Sequence, residues 1–435
     1  MLRAVKSKFL SKILQEGNPM RNLFRKIIFI SASITMLVFG LSVGATFAQT
    51  HMEFKIRTIT ASTNISMDNY AQAIAGAKAF IDKAITITQA DGWQKHGGRI
   101  SMTPWAYWLK GLSVQETRDF VKKLRDSATG YGFNVGPGIV DDTYDPQQVA
   151  KLVALYDTGA NTSVIIASKE RGIHYNAIRA AAEIIKKRSE FPGTRANNSG
   201  FAALANCQSE IPFFPGGYHN RSYNSFSIGT EGASLFMKIA AQVKNIRDAE
   251  KAMYDAYTKE MIALEATALK IEKETGWIYE GIDTTPAPMG DISMGKAIED
   301  MIGAPFGTPG TLAACAMLTN VIKKIPVRKI GYVGLFLPPM EDNVLAKRAY
   351  DYYGLNDLLA FSAVSGTGID VLALPGDVTV AELEKILLDV AAMSIKLDKP
   401  LTARLMPFKG RKAGDLVDTK EETGTYAPIK VMKVR

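Results

Sequence analysis

From Phe54 almost to the end of this 435-residue chain, runs rich in β-branched residues alternate with segments whose apolar residues recur at helical spacing. No other feature constrains the fold as much. Strands separated by helices pack as a sheet with helices laid against it, which is an α/β fold. The runs predict strands at 55–62, 99–103, 134–140, 163–168, 201–207, 222–228, 277–283, 330–337, 369–374 and 401–407, with a short one near 429–434. Ten or so strands predict one large sheet or a barrel with surrounding helices. The helices between them carry start signals. Ser113-Val-Gln-Glu116 and Thr379-Val-Ala-Glu382 both fit a capping box, and Asp145-Pro146 puts proline in the tolerated first turn. In the long segment 245–274, Met253, Tyr257, Met261, Leu264 and Ile271 fall on one face, a stripe that reads as core.

No Pro/Gly/Ser-rich linker cuts the chain after its first 48 residues, and no fixed-period repeat occurs. One large domain over 49–435 is the simpler expectation, with two halves meeting near 241–274 as the alternative. Residues 1–48 read differently. Arg21, Arg25 and Lys26 precede an uncharged stretch, 27–43, and small residues lead to Ala48. That order predicts an upstream extension and a signal peptide cleaved after Ala48, hence an exported protein, secreted or periplasmic. Membrane contact is expected only through this segment if it stays uncleaved. Its removal takes away seven Lys/Arg and one Glu, lowering the formal charge from +9 to +3. The basic clusters that remain, Lys186-Lys-Arg188 and Lys323-Lys324 with Arg328-Lys329, sit at predicted helix ends without interleaved aromatics, so nucleic acid is not an expected partner. The two cysteines exclude a disulfide scaffold. Cys315 reads as a core thiol, while Cys207, before a loop, is open to solvent or to a bridge.

Four loops rich in Gly, Pro or charged residues stand out in the C-terminal third: Asp283-Thr-Thr-Pro-Ala-Pro288, Gly307-Thr-Pro-Gly-Thr311, 365–377 and 404–415. Together with Lys55-Ile-Arg-Thr-Ile-Thr60, Arg99-Ile-Ser-Met-Thr-Pro104 and Phe213-Phe-Pro-Gly-Gly-Tyr-His219, they make the chain resemble uncharacterised protein family 0210, also called domain of unknown function 711, over nearly all of 53–435. The resemblance implies the fold of pyruvate formate-lyase and its glycyl-radical relatives, a ten-stranded α/β barrel. It does not extend to radical chemistry. Those enzymes carry an Arg-Val-x-Gly-aromatic signature, whereas this chain reads Gly424-Thr-Tyr-Ala-Pro-Ile-Lys-Val, and Cys315 falls in a predicted helix.

Loops at the ends of strands bind ligands in α/β folds, which brings Asp283, Asp370 and Arg404 forward. Asp283 is a candidate general base or metal ligand, Arg404 a bidentate clamp for a substrate carboxylate, and Lys409 a second positive charge. Thr285, Gly310 and Thr311 are candidate ligand-binding positions, the last two because a Gly-rich helix start presents amides to an anion. His219, after Pro215-Gly-Gly-Tyr218, is a candidate catalytic imidazole. Each has a structural reading beside the chemical one: Asp283 and Asp370 as turn caps, Arg404 as their partner in a wall, His219 as a bonded loop residue. Gly366-Thr-Gly368 precedes its strand and lacks a third glycine, so the dinucleotide fingerprint fails. No HExxH or paired CxxC occurs, so no zinc site is expected, and the residues name no cofactor. The reading that follows is a non-radical enzyme acting on a small anionic or carbonyl-bearing metabolite. Its rivals are a small-ligand binder without turnover and a structural or assembly subunit, with a homo-oligomer open in each case.

Overall fold

The computed structural model describes residues 51, 54–94, 96–191, 198–419 and 426–434. Ten strands form its main sheet: Lys55–Thr63 (β1), Gly97–Met102 (β2), Gly132–Ile139 (β3), Asn161–Ser168 (β4), Gly172–Ile173 (β5), Phe201–Ala205 (β6), Ser225–Glu231 (β7), Ile278–Asp283 (β8), Gly368–Pro375 (β9) and Leu401–Phe408 (β10). Their order is β8-β7-β1-β2-β3-β4-β6-β10-β9, with β5 on β4, and eleven α-helices lie among the described residues. Leu416–Val417 (β11) and Ile429–Lys430 (β12) make a separate antiparallel pair. Neighbouring strands are parallel from β1 to β4 and on to β6; β7 meets β1, and β10 meets β6, in the antiparallel sense. The sheet is therefore mostly parallel, built from two sets of strands running in opposite directions.

The two faces of this sheet differ because side chains alternate along a strand. On β1, Ile59 and Ala61 join the main apolar core with Ile100 and Met102 of β2 and Phe226 and Ile228 of β7. The alternate positions carry Thr58, Thr60 and Ser62, Arg99 and Ser101, and Ser225 and Ser227. Register aligns them in rows, Thr60 opposite both Arg99 and Ser227, and Ser62 opposite both Ser101 and Ser225. One face is thus apolar and covered by helices. The other is hydroxyl-rich and buried, and the loop 207–220 lies against it: His219 N donates to Met102 O, and Asn134 Nδ2 to Gly217 O.

Local signals set the helix ends as expected. Both capping boxes form, at Ser113–Glu116 and Thr379–Glu382, Asp145 caps the helix Pro146–Ala154, and the apolar stripe of Ile246–Thr275 is buried. Lys186, Lys187 and Arg188 close one helix and Lys323 and Lys324 another.

The expected strand 330–337 does not form. Its start is bonded to β8 through Ile282 N to Arg328 O (2.9 Å) and Ile330 N to Ile282 O (3.1 Å), and its far end receives Gly366 N on Leu335 O (3.0 Å). Between these points Gly331 and Val333 have φ of 105° and 50°, which a ladder does not accept. No strand pairing joins the β8 and β9 edges among the described residues, so the expected barrel is not present as a closed ladder. Cys207 is buried rather than open, and both cysteines are free thiols. Burial pushes the Cys207 thiol up to about 11 and the Cys315 thiol up to about 12.

The segment and the loop before β9 meet at two glycines. A Cβ on Gly366 would lie 2.4 Å from the Gly334 Cα, and one on Gly334 would lie as close to the Gly366 Cα. This contact explains Gly366, while Gly368 has φ of 88° and a Cβ there would lie 2.4 Å from Thr402 O. Gly366→Ala is expected to destabilise the protein by about 2 kcal/mol or more, because backbone rather than a flexible side chain must yield. Urea denaturation of the variant beside the wild type measures this.

Candidate functional site

A cavity of about 340 Å³ opens where β1 to β4 begin and β7 and β8 end; Arg57, Arg99, Asp283, Glu341 and Arg404 line it. Three guanidinium groups thus share it with two carboxylates. Arg404 stands in the middle of β10, and Asp370, in neighbouring β9, takes its bidentate face: Nε to Oδ1 and Nη2 to Oδ2 are both 2.6 Å. Nη2 also reaches Glu341 Oε1 at 3.0 Å, and Nη1 donates to Ser199 O at 3.3 Å. Burial opposes this charge, but Asp370 and Glu341 outweigh it and hold the guanidinium well above its ordinary value. Glu341 is shared, its Oε2 lying 3.6 Å from Arg57 Nη2, and Arg57 also lies 3.8 Å from Glu231.

Arg99 differs from the other two. Its Nη1 donates to Pro212 O at 2.9 Å and its guanidinium lies 4.7 Å from the centre of the Phe214 ring, but no carboxylate stands within ion-pair distance among the described residues. Burial first, then the like charge of Arg57, pulls it down to about 9. It remains charged at neutral pH, and an anion in the cavity would relieve that strain on its charge.

Asp283 ends β8 and lines the cavity as well, 6% exposed. Its Oδ1 accepts from Thr285 N (3.1 Å), Thr285 Oγ1 (2.6 Å) and Val333 N (3.1 Å), and its Oδ2 from Tyr332 N (3.1 Å). Burial raises this carboxyl above the usual range and the four hydrogen bonds lower it; burial wins. Thr285 lines the cavity as well.

The remaining sequence candidates lie elsewhere. Asp370 stands behind Arg404 as its ion-pair partner. Lys409 does not line the cavity; it is exposed, and its Nζ donates to Glu190 O at 3.1 Å. Gly310 and Thr311 also stand apart from the cavity, where Gly310, with φ of 102°, caps the helix Thr311–Lys324 and Thr311 Oγ1 accepts from Gly307 N. His219 is fully buried and does not line the cavity either; its Nδ1 lies 3.0 Å from Glu210 Oε2. Glu210 in turn accepts from Asn220 N and Ser225 Oγ, both at 2.8 Å. The pair fastens the base of the loop 207–220 to β7. The tip of that loop carries Phe213 and Phe214 to the cavity, where their rings lie against Arg404 and Arg99.

Arg57, Arg99, Glu341 and the two phenylalanines were not singled out from sequence as site residues. For Arg99 a signal existed. Arg99 occupies the polar phase of β2, at a position alternating with the core residues Ile100 and Met102, whereas Arg57 shares the phase of Ile59 and Ala61 and stands at the register shift between Ile56 and Thr58 where β1 meets β7. Among the described residues no group of three or more His, Cys, Asp or Glu is placed to hold a metal ion.

The fold and cavity define an α/β protein with an arginine-rich internal pocket. The chain belongs to the family described as uncharacterised ACR (DUF711), which matches residues 49–420. It is similar to a UPF0210 protein of Pyrobaculum aerophilum, 31% identical over 283 residues, 62% of this chain and 61% of that one. A UPF0210 protein of Leuconostoc mesenteroides is 28% identical over 385 residues, 83% and 84% of the two chains, and one of Bifidobacterium longum 26% over 412 residues, 86% and 90%. The match thus spans about three fifths of the Pyrobaculum relative's length and most of the other two.

One expectation is corrected here. Signal peptide, secreted and periplasmic do not stand as descriptors of this chain: its relatives, archaeal and bacterial, carry only the family name, and no helix among the described residues is long and apolar enough to cross a membrane. Residues 1–48, on which that expectation rested, lie outside the described residues.

The Glu210–His219 pair yields a pH prediction. Burial works against the Glu210 carboxylate, but His219, Asn220 and Ser225 outweigh it and hold its pKa below the usual value. A depressed carboxyl contributes stability that is present above its unfolded pKa and is lost as pH falls through the folded one. Glu210→Gln is therefore expected to cost about 1.5–3 kcal/mol at pH 7. The deficit against wild type should shrink below about pH 4.3. Urea titrations of both proteins at pH 7, 5 and 3.5 test the sign.

Proposed function

We propose that this protein is a non-radical enzyme acting on a small anionic or carbonyl-bearing metabolite, bound in the cavity with its anionic group at Arg99 and Arg57. The observation that carries the reading is Arg99, a charged guanidinium facing a cavity with no carboxylate partner among the described residues. Asp283, buried in the cavity lining with its carboxyl raised, is the group proposed to take up and return a proton. Cys315 sits inside the helix Thr311–Lys324 and neither cysteine lines the cavity, which supports chemistry without a thiyl radical.

The same reading covers the architecture. We infer that the sheet and the segment 328–337 together make a ten-membered barrel of the pyruvate formate-lyase type. In support, β1, β2, β3, β4 and β6 run one way, β7 to β10 the other, and the segment is bonded to β8 at one end and to Gly366, just before β9, at the other.

A second reading, binding without turnover, is favoured by one observation: four hydrogen bonds already engage Asp283. Two measurements separate the readings. Calorimetric titration with pyruvate and with inorganic phosphate should show binding that Arg99→Gln weakens at least about ten-fold, or about 1.4 kcal/mol. Anions binding the variant as well as wild type would overturn the site. Proton NMR in D₂O should then show deuterium entering the pyruvate methyl group with wild type and not with Asp283→Asn; binding without exchange would leave the second reading.

A further inference from the structure

The cavity lining is of two unlike kinds. Among the arginines, with Phe214 against Arg99 and Phe213 against Arg404, stands an aromatic wall made by Phe213, Phe214, Tyr332 and Phe336. Tyr332 brings its ring there and not its hydroxyl, since its Oη is hydrogen-bonded to Thr402 Oγ1 and lies 3.7 Å from the Cys207 Sγ, neither of which lines the cavity. Phe213 stands edge-on to both neighbours, its ring centre 5.0 Å from that of Tyr332 at 81° and 6.4 Å from that of Phe336 at 88°. The rings thus brace one another, and Tyr332 is held from behind by the small apolar cluster it shares with Cys207, Leu204 and Ile330. This wall presents carbon and π-surface with no side-chain donor.

Such a wall discriminates among anions. The face of an aromatic ring is electronegative, so a compact oxyanion such as phosphate gains nothing there and leaves the rings facing water. A ligand with one anionic end and a flat apolar body satisfies both kinds of lining at once. Its charge meets Arg99 and Arg57, while its body covers the rings in edge-to-face or offset contact. The cavity, about 340 Å³, falls in the range of small-ligand pockets, about 300–1,000 Å³. Arg404 is not needed for recognition, because Asp370 already takes its bidentate face.

We propose that the ligand of this cavity is an aryl-substituted carboxylate, held by Arg99 at its carboxylate and by Phe213, Phe336 and the Tyr332 ring at its aromatic body. The proposal rests on the reading of the cavity as an anion site and narrows it to a chemical class. It makes Phe336 and Phe213 the residues that set specificity, while the arginines set affinity for any anion.

Titration calorimetry with the full chain tests it, using phenylpyruvate and pyruvate, which share the oxo-acid head and differ by the ring. Phenylpyruvate is expected to bind at least about ten-fold more tightly than pyruvate, equal to about 1.4 kcal/mol. Phe336→Leu keeps an apolar side chain and removes the ring; it should leave pyruvate affinity within about two-fold of wild type and reduce the preference for phenylpyruvate at least about three-fold. If that variant does not fold by circular dichroism, Phe213→Leu gives the same readout. Phenylpyruvate binding no more tightly than pyruvate, with pyruvate binding still dependent on Arg99, would overturn the aryl proposal and leave the anion site standing. Pyruvate and phenylpyruvate both binding unchanged to Arg99→Gln, or neither binding to wild type, would overturn both.

Discussion

The buried Arg404–Asp370 pair is the interaction on which the site depends. Both groups lie inside adjacent strands, where neither charge could persist alone, and losing one partner of such a pair costs about 3–5 kcal/mol. The backbone is irregular on both sides of the pair. Register shifts between Ala403 and Leu405, and Val371, directly after Asp370, has φ of 45°, a conformation a β-branched residue adopts only when its surroundings impose it. The pair shapes the charge balance of the cavity. With Asp370 committed to Arg404, and Glu341 divided between Arg404 and Arg57, no acid among the described residues stands within ion-pair distance of Arg99, and Glu341 acts on it only from farther off. The unmet positive charge of the pocket is thus a consequence of how its wall is held together.

Asp283 plays the matching part at the end of β8. By accepting the amides of Tyr332 and Val333 it removes two donors that a strand would use in its ladder, and it holds Val333 at a positive φ. A Cβ at Gly331 would lie 2.3 Å from its Oδ2, so glycine is required at that position. The segment 328–337 is therefore irregular because a side chain, not a neighbouring strand, satisfies its backbone. The same arrangement turns the Tyr332 ring toward the cavity. The loop 207–220 is anchored by similar means, with Glu210 and His219 at its base and Phe213 and Phe214 at its tip.

Much of the fold was legible in the sequence because its signals are local. A capping box needs two residues in one turn, and a strand or helix announces itself by the period of its own side chains; Ser113, Thr379 and the stripe from Met253 to Ile271 all act as read. The strand expected at 330–337 failed for a non-local reason, because Asp283, some fifty residues away, takes its amides. The site was legible only in part. Asp283, Thr285 and Arg404 stand out in the sequence and do line one cavity, while Arg57 and Arg99 enter there only as parts of the family motifs and His219 lies at the root of the loop, off the cavity.

By itself the sequence determined the α/β class, the caps, the apolar face of the sheet and the family to which the chain belongs, since each depends on the order and period of nearby residues. The tertiary structure alone decided which charges neutralise one another. It buried the hydroxyl-rich face that alternation by itself would assign to water, brought β9 beside β10 so that Asp370 meets Arg404, and carried two phenylalanines from a distant loop to the arginines. The strength and meaning of a charge depend on its distance to others and on the water left around it, and neither quantity exists until the chain is folded.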